Sequence, residues 1–320
     1  MKSNFLKIGT VAVATLLFAT TSCSDEGIEA GLETGEEINA SHLPKNVLNK
    51  VLELKMNPNE FEVEELVHLD GTVSEVIVTS GDMAMDKERF LGIPASTEGF
   101  AKQYRTEFII DTNLHPEVNL FVYTGGPILV DGEPRLIGFS AGAQQGIIDA
   151  LENWNSVRSG LTLKAEFSSN PNLFDENVHE TFIAVNLTLP GFSGRAGFPD
   201  EAGNPGSFFI ISPIANQAAP NVPDAIEHLI THELGHAIGL RHTDWNSRQS
   251  CVDLGLEDAP SVETNAPDRI FGTLPSIPGI IEQEDSIMNA CFGETDGELN
   301  FFDEFAIRNL YRRSFSYYNY

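Results

Sequence analysis

The run Thr231-His232-Glu233-Leu234-Gly235-His236-Ala237-Ile238-Gly239-Leu240-Arg241-His242 concentrates groups that can do chemistry. An α-helix turns once in about 3.6 residues, so His232 and His236 lie on one face, one above the other. Both imidazoles can reach one metal ion at about 2.0–2.1 Å. Glu233 neighbours His232, so its carboxylate projects beside such an ion rather than onto it. His242 cannot come from the next helical turn. The chain must bend first, and Gly239 accepts the positive φ that a sharp bend needs. Three neutral imidazoles on one side of Zn²⁺ leave a fourth position for water. The ion would acidify that water, and Glu233 is placed to take its proton. The plain alternative is a polar helix with solvated histidines. Apolar residues flank both histidines, however, and buried unpaired imidazoles are costly.

These groups need a helix and a frame. Ile226, Ile230, Leu234, Ala237 and Ile238 share one face, and Gly239 closes the segment. Asp224 precedes Glu227 by three residues just after Pro223, the pattern of a capping box. An earlier helix starts at Ser140 as N-cap, carries Ile147, Ile148, Leu151 and Trp154 on one face, and stops before Gly160. Alternation marks strands at Phe61–Leu69, Thr72–Thr79, Phe108–Ile110, Asn119–Tyr123, Leu161–Phe167, Phe182–Thr188, Arg195–Phe198 and Phe208–Ser212. Strands followed by a Gly-rich segment and a helix predict an α+β fold. No repeat is evident.

Length and composition set the outer limits. The chain has 320 residues, 41% hydrophobic and 21% charged, with a net charge of -28. That excludes wholesale disorder and argues against nucleic acid or anionic lipid as partner. Lys2 and Lys7 precede an apolar run from Ile8 to Ala19, too short to span a bilayer but right for a signal peptide. Thr20-Thr21-Ser22-Cys23 resembles the lipobox of bacterial lipoproteins, with Thr20 where an aliphatic residue is usual. An ordinary secretory signal is the alternative. The expected order is signal peptide 1–22, acidic tether 23–42, a small N-terminal domain 43–100 that is a candidate propeptide, and a catalytic domain 101–320. The expected location is the outer membrane or cell surface, with lipid at Cys23 as the sole membrane attachment, or a secreted form. A monomer is expected.

His-Glu-x-x-His-x-x-Gly-x-x-His, followed by Ser286-Ile287-Met288-Asn289, resembles the signature and Met-turn of metzincin zinc peptidases. Arg241-His242-Thr243-Asp244-Trp245 is similar to the bacterial dual-action HEIGH-type metallopeptidases of that clan, with Leu234 in place of Ile. The resemblance spans about residues 101 to 320. It implies a mixed twisted sheet, a backing helix, an active-site helix, the Met-turn and a C-terminal helix at Asp303–Tyr311. It also implies His232, His236 and His242 as ligands of one catalytic zinc, Glu233 as general base, and Met288 beneath the metal. Arg195, Ala196, Gly197 and Phe198 would form the edge strand that binds extended substrate, or else an ordinary strand. Cys251 and Cys291 would both border the cleft, which favours a disulfide over two free thiols. Protein or peptide substrates follow.

Some features depart from the clan. The residue two after Met288 is Ala290, so no Tyr ligand is expected there, and residues 24–100 hold no Cys to block the metal. Asp82, in Ser80-Gly81-Asp82-Met83, is read first as a solvated turn residue and second as a carboxylate that blocks zinc. His228 is read as exposed near the helix start, with a ligand-orienting role second. His42, His68, His115 and His179 are read as surface or turn residues. No EF-hand loop supports Ca²⁺. Two other functions compete: a surface-anchored zinc hydrolase of non-peptide amides or esters, and a binding protein with a vestigial metal site.

Overall fold

The computed structural model describes residues 42–53, 58–79, 81–92, 104–245, 248–255, 268–270, 286–293 and 296–312. The signal peptide, Cys23, all but the last residue of the tether, the linker 94–99 and most of the loop 246–285 lie outside the described residues. Helix α1 (Lys45–Glu53) precedes strands β1 (Phe61–Val67), β2 (Val73–Thr79) and β3 (Met83–Asp86), then α2 (Lys87–Gly92). Strands β4 (Tyr104–Arg105), β5 (Glu117–Tyr123), β6 (Ile128–Val130) and β7 (Glu133–Ile137) lead into α3 (Ala141–Ser156). Next come β8 (Thr162–Ser168), β9 (Thr181–Asn186), β10 (Gly194–Gly197), β11 (Phe208–Ile211) and α4 (Pro213–Ala218). Helix α5 (Pro223–Ala237), β12 (Leu240–Arg241), α6 (Gln249–Asp253), β13 (Asp268–Arg269) and α7 (Phe301–Leu310) complete the order.

Ten strands make one mixed sheet, ordered β1-β2-β3-β10-β11-β9-β5-β8, with β7 pairing to β9 and β6 to β7. The class is α+β. Helices α3 and α5 cover one face, where Val118, Leu120, Val122, Ile147, Trp154, Ile183, Phe209, Ile230, Leu234 and Met288 form the main core. Successive strand residues point to opposite faces. Phe121, Phe182, Phe208 and Ile210 therefore form a second core on the other face, shared with Leu66, Val76, Val78 and Ala84. With both faces covered, β5, β9 and β11 read as nearly continuous apolar runs.

Residues 43–92 have an apolar cluster of their own around Val47, Val51, Phe61, Ile77 and Phe90. They also continue the catalytic sheet through β3, and Ile38–Tyr320 forms one compact unit. Packing therefore does not divide at residue 100.

Two local expectations fail. Phe108–Ile110 is no strand. Its backbone is used elsewhere: Ile110 N donates to Tyr311 Oη at 3.3 Å, and Phe108 O accepts from Thr106 Oγ1. The capping box at Asp224 does not form either. Val222 is the N-cap with no side-chain bond, and Glu227 instead accepts from Asn153 Nδ2 at 2.8 Å. Ser140 does cap α3, accepting from Ala143 N at 3.3 Å.

Candidate metal centre

Helix α5 runs through the core, and the structure buries almost everything the motif contains. His232, Glu233, His236 and His242 are each at most 4% exposed. The helix stops at Gly239, whose φ of 97° is open to Gly and strained for other residues. Behind it, β12 returns the chain and brings His242 round to face His232 and His236. The three ring centroids lie 4.7–5.2 Å apart.

Each ring has a distinct outer partner. His232 Nδ1 lies 2.7 Å from Ile287 O and His236 Nδ1 lies 2.9 Å from Leu240 O. A carbonyl can only accept, so both Nδ1 atoms carry protons and both Nε2 atoms keep lone pairs for a metal. His242 Nδ1 instead faces the buried guanidinium of Arg248 at 3.1 Å. Arg248 was not singled out in the sequence, because a basic residue six positions after His242 is unremarkable there.

The Nε2 atoms converge. His242 Nε2 and His232 Nε2 are 3.3 Å apart. Two nitrogens bound tetrahedrally to one zinc at about 2.0–2.1 Å lie about 3.4 Å apart. His236 Nε2 is buried and has no hydrogen-bond partner among the described residues. Such an orphan is costly unless something binds it. His232 and His236 therefore each offer zinc a lone pair, and His242, whose Nδ1 accepts from Arg248 and whose Nε2 thus holds the ring proton, would complete the set by releasing that proton to bind the ion.

A fourth group joins them. Asp82 Oδ2 lies 3.0 Å from His242 Nε2 and 3.5 Å from His232 Nε2, and Oδ1 lies 3.9 Å from His236 Nε2. The four ligand atoms lie within 4.8 Å of one another. The solvated-turn reading of Asp82 is corrected: the turn before β3 aims its carboxylate into the cluster. Burial alone would raise this carboxyl, but His242 leads the neighbouring imidazoles in holding it well below the usual range. His236 is pushed well below its ordinary value, by burial first and then by His232.

Glu233 lies beside the cluster and not in it. Its carboxylate rests so close to the Gly194 backbone that a Cβ at position 194 would collide with it. Its Oε2 has no hydrogen-bond partner among the described residues. Burial raises its pKa well above the ordinary carboxylate value, Asp82 adds to this, and Arg195 opposes it.

Below the metal face, Met288 is buried with its sulfur against Gly235. Its turn hangs on Asp303, which accepts from Ser286 Oγ at 2.7 Å and Ile287 N at 3.0 Å. Asp303 also closes a capping box with Asn300 at the start of α7. The Asn-x-x-Asp spacing was the available signal for it. A disulfide joins Cys251 to Cys291, tying α6 to the chain after the Met-turn.

Three further expectations are corrected. β10 is not an edge strand, because β11 flanks it on one side and β3 on the other, and Phe198 lies just beyond it. His228 is buried, not exposed, because Phe292 stacks on it with ring centroids 4.0 Å apart. His179 is buried between Phe121 and Phe174 rather than at the surface.

Comparison with known proteins places this site in a family. No curated protein matches the chain. Two solved structures of myroilysin are similar at low scores. One has a TM-score of 0.35 and 11% identity, covering 62% of this chain and 93% of that one. The other has a TM-score of 0.33 and 10% identity, covering 73% and 92%. The family model for the dual-action HEIGH metallopeptidases matches residues 77–311, which include Asp82, the three histidines and the Met-turn. The chain belongs to the dual-action HEIGH metallopeptidase family.

Proposed function

We propose that this metallopeptidase is a zinc-dependent endopeptidase, exported as a lipoprotein, that hydrolyses extracellular proteins with Glu233 as general base. The observation that carries the reading is Glu233 itself. A structural metal site needs no base, yet here a buried carboxylate stands beside three convergent imidazoles with Oε2 unpartnered among the described residues. Zinc held by His232, His236 and His242 would supply Lewis acidity toward a water and a scissile carbonyl. Glu233 takes a proton from the attacking water at its carboxylate and returns it to the leaving amine. A carboxylate held above its ordinary pKa suits a group that must both accept and return a proton. Gly194 lets β10 pass directly against Glu233, so the base carboxylate is held between the sheet and its own helix.

Export rests on Lys2, Lys7, the apolar run Ile8–Ala19 and Cys23. The test combines metal analysis with mass-spectrometric mapping of cleavage products and of the mature N-terminus. One zinc per chain, chelator-sensitive cleavage and a lipidated Cys23 are expected. Cleavage that survives both chelation and Glu233→Gln would overturn the mechanism.

A further inference from the structure

We infer that Phe292, seated on His228 and flanked by Phe192, fills the side-chain space on the leaving-amine side of the metal centre, so that the chain cleaves before small residues such as glycine and alanine. This rests on the zinc-peptidase reading and names its substrate class. Four rings follow one another there. The His228 and His232 rings are near-parallel, with centroids 6.4 Å apart and 17° between planes, because residues four apart on α5 share a face. Phe292 stacks on His228 with centroids 4.0 Å apart. Phe192 meets Phe292 edge-on at 6.3 Å. Rings 4.0 Å apart are in contact, so no substrate side chain fits between them. His228 is buried, Phe292 is half-buried and Phe192 is 37% exposed. The row therefore runs from solvent to a metal ligand, and the protein's own rings occupy it.

The side follows from Glu233. The base returns its proton to the leaving amine, so the leaving residue lies on the Glu233 side of the ion. Glu233 rests against Gly194, and Phe192 precedes Gly194 by two residues. The other end of β10 is followed by Phe198, whose ring meets His236 at 5.7 Å. The Phe292 row is therefore at the amine end. Its backbone is also fixed. Cys291, directly before Phe292, is bonded to Cys251, and its N donates to Ser250 Oγ at 3.0 Å. Ala290 N donates to Asp244 Oδ1 at 2.9 Å. Gly293, directly after Phe292, lies against the Leu254 side chain. On the Phe192 side, Ser212 Oγ donates to Gly191 O at 2.7 Å. A large side chain must displace a ring held from both chain directions, whereas glycine or alanine displaces nothing.

The experiment uses the zinc-loaded full-length chain and two malonyl hydroxamates, in which the carbon next to the zinc-binding group carries methyl in one and benzyl in the other. Zinc content is measured first. If neither wild type nor Phe292→Ala holds zinc, the metal reading fails, and this inference with it. With zinc bound, calorimetry should show wild type favouring the methyl compound by at least about 10-fold. Phe292→Ala should shift the ratio of the two affinities toward benzyl by at least about 10-fold. Phe292→Leu keeps an apolar side chain in the core and should shift the ratio part of the way, which keeps the test open if Phe292→Ala folds poorly. Mass-spectrometric mapping of cleaved peptides should show the same change, from glycine and alanine after the cut to leucine and phenylalanine. The same affinity ratio in zinc-loaded wild type and in every folded variant would overturn the inference while leaving the metal centre standing.

Discussion

The metal centre has two walls of different construction. The helical wall is α5 with the Met-turn. There His232 and His236 are fixed by backbone carbonyls, Trp154 Nε1 donates to Thr231 O at 3.0 Å, and Asp303 holds Ser286 and Ile287 from inside the core. The strand wall is β3 on β10, held by a two-pair ladder, by Arg89, and by an ion pair between Arg195 and Glu64 at 3.1 Å. Groups on the first wall are buried and multiply bonded, so removing one leaves costly orphans. On the second wall β10, Met83 and Ala84 are buried too, while Asp82, Arg89 and Glu64 are partly exposed, so fewer bonds rather than solvent set it apart. The first wall fixes the histidines from inside the core, and the second joins the metal face to the sheet.

The largest effect should come from Glu233→Gln. The amide keeps the shape against Gly194 but cannot take a proton. Peptide cleavage should fall about 10²–10⁴-fold with zinc content unchanged. Unchanged cleavage would remove Glu233 from the mechanism and leave the helical wall as a binding surface.

Next is Asp303→Asn. The carboxylate is fully buried and serves Ser286, Ile287 and Asn300 together. The amide cannot accept all three bonds, so stability should drop by about 3 kcal/mol. Thermal or urea unfolding measures this, and zinc affinity should weaken with it because Ile287 O orients His232. A neutral result would mean that the Met-turn is held by packing alone.

The two walls also differ in how far a sequence reveals them. The helical wall is local. His232, His236, Gly239 and His242 sit within eleven residues, and helix periodicity converts that spacing into a shared face. The strand wall is non-local. Asp82 meets His242 across a separation of 160 residues, and nothing in Ser80-Gly81-Asp82-Met83 announces a parallel partner. Arg195 to Phe198 reads correctly as a strand, but whether a strand is an edge depends on what arrives beside it. His228 is similar: its helix phase is legible, while its burial is set by Phe292 from beyond the Met-turn. Phe108–Ile110 has strand-like residues, yet Tyr311 and Thr106 claim backbone groups that a ladder would need.

His228 gives a pH test of the rigid wall. Burial, with His232 second, pushes its pKa down to about 3. The unfolded chain then binds a proton that the folded chain refuses between about pH 6.5 and 3. Stability is unaffected by this group above pH 6.5 and falls as pH drops through that window. At pH 5 the loss is about 2 kcal/mol. His228→Phe keeps a ring to stack on Phe292 and removes the proton. The variant should therefore lose about 2 kcal/mol less than wild type between pH 7 and pH 5 in urea titrations. Parallel curves would mean that His228 is not the acid-sensitive element of this wall.

The smallest effects belong to the strand wall. Arg195 is buried on β10 and Glu64 on β1 is partly buried, with side chains 10% and 30% exposed. Glu64→Gln leaves the buried guanidinium without its counter-charge and should lower stability by about 1–2 kcal/mol in urea titrations. Lys87 and Glu75 provide the control. Their 2.7 Å ion pair joins α2 to β2, does not touch β10, and leaves the Glu75 side chain 55% exposed. Glu75→Gln removes a surface pair and should change stability by less than about 1 kcal/mol. A response to Glu75→Gln equal to that of Glu64→Gln would show that net charge, rather than the contact with β10, sets the cost, and the contrast between the two walls would then lose its structural basis.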